Sequence, residues 1–111
     1  MPQTNDDQPK QIILETVDES LLLLGESSRK SIYFHLQNIV NLKKEEIPND
    51  LEAFAQGLEK IFGKGATVIE KSIVKNLCRK LGVEYKEEKE SSFVDQINQI
   101  IENVNLAAPE P

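Results

Sequence analysis

The chain holds one histidine, His35, and one cysteine, Cys78. To act as a nucleophilic pair they would need thiol and imidazole within hydrogen-bond reach and a third group orienting the base. Cys78 borders an apolar helical stripe, where a thiol behaves as a small hydrophobe. His35 adjoins Leu36 on another helix and is expected at a surface or boundary. Two such side chains also fall short of the four ligands of a structural zinc site. Gly63-Lys64-Gly65 stands ahead of a helix, where free N–H groups favour an anion. A Walker loop, however, needs four residues between its first glycine and a Gly-Lys-Ser/Thr triplet, after a strand. Here a helix ending at Phe62 comes first, so the two glycines are expected to make a helix–helix corner. Glu45, Glu46, Glu87, Glu88 and Glu90 lack the spacing of a calcium loop. The expectation is a protein that is not an enzyme and holds no cofactor or metal.

A second constellation is electrostatic. On a 3.6-residue wheel Lys64, Lys71, Lys75 and Arg79 share roughly a quarter of the circumference of one helix. Such a stripe is either a solvated face or a contact for an anion or nucleic acid. From Lys60 to Lys80 the local charge is +5, which leaves −11 on the rest of a chain whose net charge is −6. The overall sign opposes unspecific attraction to nucleic acid or anionic membrane. A basic middle with acidic flanks can equally be neutralised within the molecule. Gly25 to Leu36 could also be read as the turn and second helix of a helix-turn-helix, with Ser28, Arg29, Ser31 and Tyr33 facing a groove. Net acidity and the lack of a wing argue against it.

The elements that position these groups follow from apolar spacing. The stretch Leu58 to Gly82 carries the clearest pattern: a helix end, the glycine corner, and a helix over 66–81 with Ala66, Ile69, Ile73, Val74, Leu77 and Leu81 on one face. A helix this short needs that face packed. Residues 1–10, polar with two prolines, read as a disordered leader. A first helix is expected over 11–24, buried through Leu14, Val17, Leu21 and Leu24, with Thr16 and Glu19 spaced as a capping box. Ile12, Ile13, Leu22 and Leu23 widen its apolar surface beyond one stripe, and residues 11–15 could instead be extended. Gly25 ends it, and a second helix over 26–40 buries Ile32, Leu36, Ile39 and Val40.

Residues 41–49 form a connecting loop stopped by Pro48. Asn49 and Glu52 bracket the start of a third helix, 50–62, as N-cap and N3, with Leu51, Phe54, Ala55, Leu58, Ile61 and Phe62 inward. After a charged connector, Ser92 and Asp95 start a fifth helix over 92–106, lined by Val94, Ile97, Ile100, Ile101 and Val104. Residues 107–111 form a loose tail. The fold class is all-α, a compact bundle of about five helices in a single domain, 11–106.

Apolar residues are 39% of the 111, and no tryptophan is present, so four phenylalanines and two tyrosines are the large fillers. A lone cysteine excludes an intramolecular disulfide and suits a reducing compartment. The longest apolar run, Leu21 to Leu24, is far too short to span a bilayer. Residues 1–10 lack a basic-then-apolar signal layout. No membrane partner is expected, and the cytoplasm is the expected location.

Leu24-Gly25-Glu26-Ser27-Ser28, Tyr33-Phe34-His35-Leu36, Ile47-Pro48 and Phe62-Gly63-Lys64-Gly65-Ala66 followed by Glu70 form an ordered set. Over roughly residues 14–83 this order and spacing resembles the small archaeal helical family called the Nitrosopumilus output domain, fifth type. The resemblance implies a compact helical module, found alone or attached to sensory domains, with a role in signal output. It carries over no catalytic residue, and the fifth helix lies outside it.

The apolar surplus then sets the functional expectation: a non-catalytic interaction module that self-associates, as a homodimer or with a protein partner. Ile12, Ile13, Leu22 and Leu23 of the first helix and Ile97 and Ile101 of the fifth are the expected contacts. The alternative is binding of an anion or nucleic acid through Lys64, Lys71, Lys75 and Arg79.

Overall fold

Five α-helices carry the chain in a computed structural model that describes residues 7–87 and 90–107. They are α1 (Asp7–Leu22), α2 (Glu26–Val40), α3 (Leu51–Phe62), α4 (Ala66–Leu81) and α5 (Phe93–Ala107), with 3-10 turns at Lys44–Asn49 and Gly63–Gly65. No strand occurs among the described residues, and the fold is an all-α bundle.

The helix with the clearest sequence pattern is also the central one. α4 packs against α1, α3 and α5, while α2 lies against α1 and α3. Ala66, Ile69, Ile73, Val74, Leu77 and Cys78 of α4 are all buried. Phe54 and Leu58 of α3 and Ile97 of α5 complete the same core, and the Phe54 and Phe93 rings meet at 6.0 Å. Each fully buried side chain of this kind contributes about 1.5–3 kcal/mol, so α5 belongs to the core.

α1 differs most from expectation. It starts at Asp7, inside the stretch read as a leader, and residues 11–15 are helical. Pro9 sits in the first turn, where a missing N–H costs nothing. Residues 1–6 and 108–111, read as disordered, lie outside the described residues. The buried face runs through Ile13, Thr16, Val17, Ser20 and Leu21, whereas Leu14 is half-buried and Leu24 exposed. Thr16 caps nothing: its hydroxyl donates to the Ile12 carbonyl at 2.7 Å, one turn back in the same helix. Asn76 Nδ2 of α4 donates to Ser20 Oγ at 2.8 Å. Two small hydroxyl residues thus share the buried face of α1 with their polar atoms satisfied, Ser20 by α4 and Thr16 within its own helix.

The expected loop 41–49 buries Leu42 and Ile47, the latter inside the 3-10 turn. Asp50, not Asn49, caps α3: its Oδ1 accepts from Ala53 N at 3.1 Å. At the other end of α3, Gly63 has φ 60, which favours glycine. Gly65 has an ordinary φ of −66, and a Cβ there would meet only Phe62 Cβ at 3.7 Å. The corner therefore needs one glycine rather than two. The cap of α5 is as expected, Ser92 Oγ accepting from Asp95 N at 3.1 Å.

Candidate interaction surfaces

Leu21 is fully buried, and the next three residues are not. Leu22, Leu23 and Leu24 are 44%, 76% and 46% exposed. The cause is local. Helical geometry stops at Leu22, and Leu24 N and Gly25 N close the turn on the Leu21 and Leu22 carbonyls at 3.0 and 2.8 Å. Past that point the chain no longer follows the face packed on α4. A notch of about 350 Å³ lies beside Leu23, walled by Glu19, Asn76, Arg79 and Lys80. Lys80 Nζ spans it to Glu19 Oε2 at 3.1 Å.

The other expected self-association residues divide. Ile12 and Ile101 are half-buried and packed on the core. Ile13 and Ile97 are core residues and are withdrawn from any surface. The premise that α5 is surplus apolar surface is corrected with them, since α5 packs on α3 and α4 of its own chain.

The basic stripe is partly neutralised from within. Lys71 Nζ pairs with Glu87 Oε2 at 2.9 Å, and Lys75 Nζ lies 5.3 Å from the Tyr85 ring centroid. The pair with Glu87, by hydrogen bond and then by charge, raises the Lys71 pKa. Lys64 and Arg79 are exposed, with no ion pair among the described residues. Two of the four cations are thus already engaged by the segment that follows α4. The acidic flanks fold back onto the basic middle through Glu87 on one side and Glu19 on the other.

Of the groove-facing residues of a helix-turn-helix, Ser28 and Ser31 are exposed, but Arg29 and Tyr33 are engaged within the molecule. Arg29 Nη1 and the Tyr33 hydroxyl, both on α2, reach Asp18 of α1 at 3.0 and 2.7 Å, and Lys44 Nζ joins at 3.5 Å. Burial disfavours an ionised Asp18, but the Tyr33 hydrogen bond and the Lys44 and Arg29 charges outweigh it and hold the carboxyl below its ordinary value. Burial and the Asp18 carboxylate push the Tyr33 phenol far up. This four-residue knot ties α1 to α2 and to the 3-10 turn. The sequence offered no local signal for it, because its members are 11, 15 and 26 residues apart from Asp18.

His35 is exposed on α2, its ring 5.7 Å from that of Phe34. Cys78 is buried in α4, and burial raises its thiol pKa, opposite to what a nucleophile needs. The described residues hold no group of three or more His, Cys, Asp or Glu side chains able to share a metal ion. No described helix is long and apolar enough to cross a membrane. No family model matches the chain, and no curated protein and no solved structure matches it.

Proposed function

We propose that this chain is a non-catalytic protein-interaction module that self-associates through its α1–α2 turn, and that it serves in the cytoplasm as a signal-output element. The observation that carries the proposal is the leucine trio, with Leu23 at 76% exposure beside a notch of both charge signs. Apolar surface removed from water contributes about 25 cal/mol per Å², and consecutive leucines at a helix end are a concentrated source of it. A two-fold axis suits the patch, because an isologous contact needs complementary features on one surface. Leu23 of one copy enters the notch of the other, and Glu19 faces the second copy's Arg79.

Polyanion binding through Lys64, Lys71, Lys75 and Arg79 is less well supported, given the Glu87 and Tyr85 contacts and the net charge of −6. The signal-output role rests on the family resemblance alone.

Light scattering coupled to size exclusion tests the association. The expected mass at high micromolar concentration is twice the 12.6 kDa of one chain, and Leu23→Asp is expected to return it to one chain with unchanged helicity. A wild-type monomer at those concentrations, or a dimer untouched by Leu23→Asp, would sink the proposal.

A further inference from the structure

A second, larger concavity lies on another face. A groove of about 550 Å³ runs between α3, α4, the connector after α4 and the start of α5. Its walls include the half-buried Ala55, Tyr85 and Val94, which give it apolar surface for a hydrocarbon chain. Glu70 of α4 and Glu52 of α3 also line it. Glu70 is half-buried, and among the described residues it has no hydrogen-bond or ion-pair partner. Its helical neighbours three and four positions away are Ala66, Thr67, Ile73 and Val74, none of them cationic. The groove's lysine, Lys71, is engaged by Glu87. Burial, and then the charge of Glu59, raise the Glu70 pKa, the behaviour of a carboxylate lacking a counter-ion.

We propose that this groove receives an arginine side chain from a basic segment of a partner protein, with the guanidinium on Glu70 and the stem along Ala55, Tyr85 and Val94. Charge complementarity selects a cation. The apolar wall selects one on a hydrocarbon stem, which covers apolar surface while its head stays polar. The planar fork distinguishes arginine from lysine, since it can hold one carboxylate through two parallel hydrogen bonds and is more weakly hydrated. The site is separate from the leucine turn, so it stands or falls independently of self-association.

The test is a ¹H–¹⁵N titration of the full chain with a blocked Leu-Arg-Leu peptide, beside the same peptide carrying citrulline, the neutral isostere. A single buried arginine contact is expected to bind at roughly millimolar Kd, with saturable shifts at residues 55, 67, 70, 85 and 94. Glu70→Gln is expected to weaken it roughly tenfold, the loss of one charge-assisted hydrogen bond. The citrulline peptide, which needs no variant, is expected to give no saturation. Spermidine distinguishes a free polyamine from a protein side chain and is expected to bind more weakly than the arginine peptide. The proposal is overturned by no saturation up to about 10 mM peptide, by equal shifts with citrulline, by an unaffected Glu70→Gln protein, or by spermidine binding more tightly.

Discussion

Gly57 lies on α3 directly against the Leu36 and Val40 side chains of α2, and substituting it sets two known effects against each other. The residue is buried within α3. In a helix interior Gly→Ala gains about 1 kcal/mol from propensity alone. At this site the added Cβ would overlap Leu36 Cδ2 of α2 and come within 3.3 Å of Val40 Cγ2. Leu36 is only 1% exposed, so its methyl can retreat only by displacing other core atoms. Overpacking of that kind costs about 1–3 kcal/mol, leaving Gly57→Ala destabilised by about 1 kcal/mol net. Urea denaturation followed by far-ultraviolet circular dichroism reads this as a lower midpoint at unchanged slope. The double-mutant cycle sharpens the test. Leu36→Ala alone should cost about 2–5 kcal/mol. In that background the clashing methyl is gone and Gly57→Ala should become stabilising, a coupling of about 1–3 kcal/mol. A Gly57→Ala protein stabilised by the full propensity gain, or a cycle that closes with no coupling, would refute the claim that backbone approach requires glycine here.

The Asp18 knot has a pH signature. Its folded pKa lies below the ordinary value, so its stabilisation is fully present above the unfolded value near about 4 and is lost as pH falls through the folded value. Asp18 is 27% exposed, and solvent screening limits the effect to about 1 kcal/mol. Asp18→Asn should therefore lower the urea midpoint near neutrality and converge with wild type in acid; parallel profiles across the acid range would count against the knot. Cys78 is 3% exposed, and burial keeps its thiol protonated. Its reaction with a chromogenic disulfide should be at least roughly a hundredfold slower in the native protein than in urea, because only opened molecules react. A native rate within a few-fold of the unfolded one would place the thiol at the surface.

How much was legible from the sequence varied with the range of the interaction. α4 could be read almost residue by residue, since six apolar positions at helical spacing leave one face to bury, and five of those six are buried. The Ser92 cap of α5 was equally legible, for both partners lie within one turn. α1 departs from its pattern because leucines outnumber every other apolar residue type there, while two small hydroxyl residues, Thr16 and Ser20, take places on its buried face. The glycine corner was overread in the same way: Gly63 has a positive φ and Gly65 does not.

Local spacing alone determined that this chain is all-helical, where most of its helices lie, and that a basic helix sits among acidic neighbours. Tertiary structure decided the rest. It drew α5 into the core, tied Lys71 to Glu87 and Lys80 to Glu19, gathered Asp18, Arg29, Tyr33 and Lys44 into one knot, and left Leu22–Leu24 in water. The physical reason is that helical periodicity says which side chains share a face. Which face is covered, and which charge is answered, depends on neighbours that only folding brings near.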